Sequence, residues 1–278
     1  MPGFADLDQI IESMTALDDF FEIPFCKYST VSESQTFPHS LWRAPGVPGP
    51  GGDGAAFSAT PGAGGTALDQ DGLSIGWGDT SPATKHLIGM DVRATSTLDI
   101  ILFDRLVSVS GRTINSTGAK DVNSVALPRY TDGVGVEVYL EVTTATTAAA
   151  VVTLSSYTDQ GGTGGQAGST SVTFPAAATN VDTLVGPMPL ATGDYGVRSV
   201  EQINVGTSGA GSAAVNVVLL KELARVPVAA LLSNSRDFVS QISTLPRVYD
   251  GAALMLAFHP SSTSQQPQVH GHLTAAYR

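Results

Sequence analysis

The sequence predicts an all-β protein built around a β-sandwich or jelly-roll-like domain, and three observations lead to this fold class. Short runs rich in β-branched and aromatic residues recur between residues 87 and 222, Gly-rich turns separate them, and helical periodicity is weak over the same stretch. An N-terminal helix, a long extended arm and a C-terminal hairpin complete the prediction. The predicted parts are a helix in 1–23, an arm in 24–85, a β-sandwich in 86–226 and a C-terminal part in 227–278.

The N-terminal helix is predicted from apolar residues that recur three or four positions apart between Asp6 and Phe21. Acidic residues at its start suit the positive end of a helix dipole. The apolar face can pack on the chain's own sheet or on a neighbouring subunit, and the sequence leaves both open. The apolar positions are Leu7, Ile10, Ile11, Met14, Leu17, Phe20 and Phe21.

Residues 24–84 are rich in Pro, Gly, Ser and Thr, so no regular strand or helix is expected there. Aromatic and large apolar residues nevertheless punctuate this stretch. We interpret it as an extended arm whose rings fill pockets on adjacent subunits, the alternative being a long loop wrapped on its own domain. The large apolar residues are Phe25, Tyr28, Phe37, Leu41, Trp42, Phe57, Ile75 and Trp77.

The β domain is predicted to contain at least six strands. Apolar residues alternate with Gly135, Glu137, Tyr139 and Glu141, which places both glutamates on a solvent face rather than in an acid–base pair. The Gly-rich segment 161–165 is interpreted as a hairpin loop. The predicted strands are 98–110, 134–142, 150–157, 169–174, 197–205 and 213–220.

The C-terminal part is predicted to begin with a short helix capped by Asn234 or Ser235 and ending before Pro246. Two strands follow at 254–258 and 269–276. The polar, turn-prone segment between them suggests a hairpin that completes the sheet.

Candidate chemistry is sparse, so we predict no catalytic, cofactor or metal site and no enzymatic activity. His270 and His272 would share one strand face, with His259 on a partner strand as a third ligand, but a metal is the less favoured interpretation. Asp69, Asp71 and Asp79 lack the spacing of a calcium loop. Motifs for hydrolases, zinc proteases and nucleotide binding are missing from the sequence.

Composition narrows the function classes further. The net charge of −11 opposes binding to nucleic acid, and no apolar run approaches the length of a membrane span or a signal peptide. Only 14% of residues are charged, where about 25% is usual. A surface this poor in charge is often covered by another subunit. Cys26 is interpreted as a small apolar residue.

Four segments carry a family resemblance: DTSPATKHL from Asp79, LPRYTDGVGV from Leu127, TGDYGVRSV from Thr192 and LPRVYDGA from Leu245. Together they resemble structural proteins of tailed-bacteriophage virions, of the capsid-associated decoration, cement or minor structural type. The resemblance implies a virion component, assembled in the host cytoplasm, that packs against the major capsid protein and copies of itself, with no nucleic acid or membrane partner.

Two alternatives stay open: a tail or vertex-appendage protein, and a carbohydrate-binding module that uses Trp42 and Trp77. Arg129, Arg198 and Arg247 lie in the resembling segments and are expected to lock loops by pairing with acids. The side chains predicted to contact partners are Leu7, Ile10, Ile11, Met14, Phe20, Phe21, Phe25, Tyr28, Phe37, Trp42, Phe57 and Trp77.

Overall fold

The structure is a computed structural model, and the predicted all-β class is confirmed, with 55% of residues in strands and 5% in helix. For Phe20, Phe21 and Thr66 the structure describes the backbone but not the side chain. The described residues are 4, 6–15, 20–30, 37–56, 65–68, 84–122, 125–174, 181–240, 245–262 and 266–277.

One helix and seventeen strands follow one another along the described chain. In order they are α1 (Leu7–Thr15), β1 (Phe20–Tyr28), β2 (His39–Ser40), β3 (Gly46–Val47), β4 (Thr66–Ala67), β5 (Lys85–Ala94), β6 (Leu98–Thr113), β7 (Gly118–Asp121), β8 (Val136–Thr144), β9 (Ala150–Asp159), β10 (Ser171–Phe174), β11 (Leu184–Val185), β12 (Val197–Thr207), β13 (Ala214–Val228), β14 (Ser233–Asp237), β15 (Arg247–Val248), β16 (Leu254–Pro260) and β17 (Gln268–Tyr277).

The strands form three antiparallel sheets. The central sheet has the order β11-β8-β13-β6-β16-β2, and β4 extends it along β6 beyond the end of β16. The first flanking sheet has the order β14-β5-β17-β1-β3, with β15 also on β5. The second flanking sheet has the order β10-β9-β12-β7. All six strands predicted for the β domain are present.

One face of the central sheet packs against both flanking sheets, because its two longest strands, β6 and β13, extend over both. Leu98 and Ile100 of β6 lie in a core shared with Leu273 of the first flanking sheet. Further along the same strand, Val109 lies in a second core with Ile203 of the second flanking sheet. The molecule therefore has two cores joined by one sheet.

The opposite face of the central sheet carries a third apolar cluster. It includes Phe103, Tyr139 and Met255, and it is covered by Trp42. Successive residues of a strand point to opposite faces. Val138 and Leu140, which flank Tyr139 in the sequence, accordingly belong to the second core. Strand β8 is therefore buried on both faces.

The predicted N-terminal helix is too long, because α1 ends at Thr15 and Phe20 and Phe21 belong to strand β1. All nine residues of β1 pair with β17, from Phe20 opposite Ala276 to Tyr28 opposite Gln268. This long pairing satisfies the backbone of the segment and overrides the helical spacing of its apolar residues.

The expectation that residues 24–84 contain no strand is also wrong. Most of β1 and all of β2, β3 and β4 fall in this range, and each pairs with a strand of a sheet. The pairings are short except for β1, because Pro and Gly leave few consecutive residues able to join a ladder.

Two predictions for the C-terminal part are wrong. The start of the segment predicted as a helix forms strand β14, which pairs with Gly89–Arg93 of β5; its Ser and Asn side chains favour non-helical backbone. Strands β16 and β17 exist as predicted but do not form a hairpin. β16 pairs with β6 and β2, and β17 lies between β5 and β1 in another sheet, so their connection crosses between sheets.

Candidate intersubunit surfaces

Helix α1 leaves one apolar face uncovered by the described chain. Leu7, Ile11 and Met14 are 51%, 49% and 45% exposed, while Ile10 is fully buried. Ser13 donates a hydrogen bond to the Tyr277 carbonyl at 3.2 Å, which fixes α1 against the end of β17. The helix is thus held by one side, while three apolar side chains spaced for one face stay about half exposed; Met14 also lines a depression with Met90 and His272 of the first flanking sheet. We call Leu7, Ile11 and Met14 the helix patch.

Acidic side chains lie along α1 beside the helix patch. Asp6, Asp8 and Glu12 are exposed, and the last turn of α1 contains no basic residue. Asp6 also caps the helix, because its Oδ1 accepts a hydrogen bond from the Gln9 amide at 3.0 Å. The helix patch is therefore an apolar stripe bordered by carboxylates along α1, with Arg236 and His272 in the depression beside Met14.

Residues 37–56, which we call the strap, bury the large side chains of Leu41 and Trp42 within the chain's own fold, whereas α1 leaves three apolar side chains exposed. Trp42 was predicted to contact a partner, but it is 3% exposed and packs on the chain's own central sheet. Its indole Nε1 donates to the Gly52 carbonyl at 2.7 Å, and Gly51 lies so close to the ring that a Cβ there would approach Cε2 to 2.1 Å. In this segment the wrapped-loop alternative holds, because the third apolar cluster needs a cover from the same chain.

A buried ion pair lies beneath Trp42. The guanidinium of Arg105 donates to both carboxylate oxygens of Glu141, at 2.9 and 2.8 Å, and to Ser108 Oγ at 3.1 Å. Arg105 also lies 5.2 Å from the centre of the Trp42 ring. A register shift between β6 and β13 near Leu106 turns Arg105 and Ser108 to the same side of the sheet.

The predicted solvent position of Glu141 is therefore wrong. Glu141 is fully buried, because the strap covers the face that the alternation had assigned to solvent. Burial alone would raise the pKa of Glu141, but the charge and hydrogen bonds of Arg105 outweigh it and lower the pKa to about 2. Glu137, on the same face, is half-buried and accepts a hydrogen bond from the Tyr139 hydroxyl at 3.0 Å.

Charged contacts also tie the strap to the central sheet. Arg43 of the strap contacts Asp182 at 2.6 Å, Asp53 at 3.0 Å and the Val142 carbonyl at 3.0 Å. The Asp53 carbonyl accepts a hydrogen bond from Ser108 Oγ at 2.7 Å. The strap is thus an integral layer of the fold rather than a free arm.

The other predicted contact residues have different environments. Ile10 and Phe25 are buried in the first core, so these two predictions are wrong. Phe37 packs against the second core and is only partly exposed. Tyr28 is 36% exposed, and its hydroxyl accepts a hydrogen bond from Cys26 Sγ at 2.9 Å.

Four predicted contact residues stay untested. Phe20 and Phe21 lie in β1, but their side chains fall outside the description, and Phe57 and Trp77 fall outside the described residues altogether. The possible calcium-binding residues Asp69, Asp71 and Asp79 also lie outside the described residues.

The three arginines of the resembling segments differ. Arg129 confirms the predicted pairing, since it contacts Asp104 at 2.7 Å with both groups buried. Arg198 instead donates to the Gln160 carbonyl at 2.7 Å. Arg247 stacks on the Tyr249 ring with 4.1 Å to its centre. Each arginine holds a loop, although only Arg129 does so through an acid.

The histidines do not come together as a three-ligand site. His270 and His272 lie on β17, whereas His259 lies on β16 in the central sheet, so the predicted partner strand is wrong. Across the described residues, His, Cys, Asp and Glu side chains form no group of three able to hold a metal ion. In the same part of the chain no helix has the length and apolar character needed to cross a membrane.

Sequence reasoning missed a second exposed apolar feature, in the turn between β13 and β14. Leu231 and Leu232 are 60% and 63% exposed, and Leu231 adopts a left-handed φ of 65°. The sequence signal is the apolar run 228–232, which precedes the segment predicted as a helix. We call Leu231 and Leu232 the turn patch.

Comparisons with known proteins do not identify a family or a function for the chain. No protein-family model matches the chain, and no curated protein matches it in sequence. One solved structure, described as the structure of infectious bursal disease virus Gt strain, is 9% identical over 94% of this chain and 82% of that chain, with a TM-score of 0.19. A likeness this weak supports no statement about fold or function.

Proposed function

We propose that the chain is a structural subunit of a tailed-bacteriophage virion, where it decorates the outer shell as a cement protein. It contacts the major capsid protein and copies of itself, and it performs no catalysis. The observation that carries the proposal is the helix patch, because a helix fixed on its inner side exposes three apolar side chains that the described chain does not cover.

The sequence resemblance to virion proteins and the low charge content support the same role. Cement proteins act by burying apolar area across subunit boundaries, so the needed features are a rigid scaffold and an uncovered apolar surface. The three-sheet scaffold supplies the first and the helix patch the second. Burial of Trp42 removes one of the two tryptophans that motivated a carbohydrate-binding module, since a buried ring cannot stack on a sugar.

The test is incorporation of substituted protein into particles that lack it. The variant Ile11→Glu with Met14→Glu places two charges in the helix patch, and we expect particles to lose the subunit and to rupture at a lower temperature. Tyr195→Ser is the matched control, because Tyr195 is 63% exposed in a loop outside α1. Normal incorporation of the helix variant would contradict the proposed contact.

Copy number separates the shell role from a role in the tail or at a vertex. We expect a copy number on the scale of the major capsid protein, measured by quantitative mass spectrometry of purified particles. A copy number that matches tail or vertex components would assign the subunit to those structures instead.

A further inference from the structure

Among the described residues, the helix patch and the turn patch are exposed apolar features, and the segments that carry them are anchored at opposite ends of β17. Helix α1 meets the end of β17, where Ser13 bonds to the Tyr277 carbonyl. The turn patch lies beside the start of β17, because Leu231 donates its amide to the Ala94 carbonyl at 2.8 Å and Ala94 pairs with Val269. Eight residue steps along β17 separate these points by roughly 25 Å.

The turn patch combines two energetically unfavourable features. Two adjacent leucines face solvent, and Leu231 holds a left-handed backbone conformation that is uncommon for a bulky side chain. Hydrogen bonds from Leu231 to Ala94 and from Leu232 to Ala229 hold the turn in this shape. Conformations of this kind cluster at binding sites, where a contact compensates for them.

The two patches have different electrostatic surroundings. The helix patch is flanked by the exposed carboxylates of Asp6, Asp8 and Glu12. The depression beside its Met14 is lined by the carboxylates of Asp91 and Asp237, by Arg236 and by His272, so acids still outnumber arginines around the patch. Beside Leu231, a depression of about 420 Å³ is lined by Arg93 and His270 together with Ala94 and Thr95, and both Arg93 and His270 are exposed. Among the described residues that line this depression there is a cation and no carboxylate.

This charge pattern decides between two ways of covering the helix patch with a second copy. If two helix patches met face to face, the Asp8 and Glu12 carboxylates of both copies would be brought together, and like charges at a contact oppose association. A helix patch placed on the turn patch of another copy brings acids toward Arg93 and buries apolar side chains on both sides.

We propose that copies of this chain associate head to tail, with the helix patch of one copy seated on the turn patch and adjoining depression of the next. This contact deepens the proposed structural role and rests on it, since it names the surface through which sister subunits join on the shell. The contact is heterologous, so repeating it generates a closed ring or an open filament.

The test uses purified full-length protein and two variants that each break one patch. Ile11→Glu disrupts the helix patch and leaves the turn patch intact, and Leu232→Glu does the reverse. We expect the native chain to grow in mass with concentration in sedimentation velocity. Each variant alone should associate at least about ten-fold more weakly, as expected for the loss of a central contact residue.

Mixing the two variants gives the decisive measurement. A pair of one Ile11→Glu and one Leu232→Glu chain contains one intact helix patch and one intact turn patch, so we expect the mixture to form dimers and to stop there. A mixture that stays monomeric while the native chain associates would overturn the proposal. Unchanged association of Leu232→Glu alone would also overturn it, since that result indicates helix-to-helix pairing.

Particle binding separates failure of this contact from failure of the shell role. A native chain that is monomeric at every concentration and yet is incorporated in an α1-dependent way would overturn the head-to-tail contact and leave the shell role standing. Tyr195→Ser, whose side chain lies in neither patch, is the control and should associate like the native chain. Far-ultraviolet circular dichroism checks that each variant keeps its β structure.

Discussion

The strap and helix α1 both precede the main strands and both carry large apolar residues, yet they use them in opposite ways. The strap buries Trp42 on the chain's own sheet and fixes itself with Arg43, whereas α1 buries Ile10 and exposes Leu7, Ile11 and Met14. Apolar residues in a leader segment therefore do not by themselves indicate a partner. What matters is whether the chain's own sheet has an uncovered face within reach.

The largest expected loss of stability follows from breaking the buried Arg105–Glu141 ion pair beneath the strap. Arg105→Met leaves the Glu141 carboxylate buried without its cation, and we expect the free energy of unfolding to fall by about 3–5 kcal/mol. Urea denaturation measures the change. The double variant Arg105→Met with Glu141→Leu should recover most of the loss, because it removes both charges. Equal losses in the single and double variants would contradict the role assigned to the ion pair.

A slightly smaller effect is expected when the cover itself is removed. Trp42→Ala should lower the free energy of unfolding by about 3 kcal/mol, because it opens a cavity over Phe103 and Met255. The same urea titration measures it. A loss below about 0.5 kcal/mol would show that the strap is a loosely attached arm after all.

The third effect in size is a loss of stability in acid, because the Arg105–Glu141 ion pair beneath the strap depends on an ionised Glu141. Glu141 has a folded pKa of about 2 against an ordinary value of 4.5, so the unfolded chain takes up the proton first as pH falls. The stabilisation is complete above pH 4.5 and is lost as pH falls toward 2, by an amount on the order of 2–3 kcal/mol. The urea midpoint of the native chain should decline over this range more steeply than that of the Arg105→Met, Glu141→Leu variant. Parallel profiles would contradict the assignment.

The smallest expected change in the free energy of unfolding is for a substitution in helix α1. Ile11→Ala removes exposed apolar atoms from α1, so stability should change by no more than about 0.5 kcal/mol. Ile10→Ala is the matched control on the buried side and should cost about 2 kcal/mol or more. Similar losses for the two variants would mean that the helix patch is covered by its own chain.

The strands of the β domain could be predicted from the sequence because their alternation and turn residues are local signals. Strand 134–142 shows the limit of that reasoning. Alternation correctly placed Glu137 and Glu141 on one face, but it could not reveal that the strap covers this face or that Arg105 lies opposite Glu141. Those facts depend on pairing between distant segments.

The contact residues show the same limit. Helical spacing identified Leu7, Ile11 and Met14 as one stripe, but it also included the buried Ile10 and extended into Phe20 and Phe21. The turn patch escaped prediction because the segment from Asn234 onward was predicted as a helix. Its exposure follows from β14 pairing with β5, a long-range contact that no local pattern signals.

Strands β6 and β13 run side by side through both cores, paired from Thr113 opposite Ala214 to Leu98 opposite Val228. Their ladder bonds lie across the strand direction, so tension along the strands would have to shear many bonds at once instead of opening them in sequence. Force applied along these strands would be carried by this shared pair. We therefore expect the two halves to unfold together, in a single transition on heating.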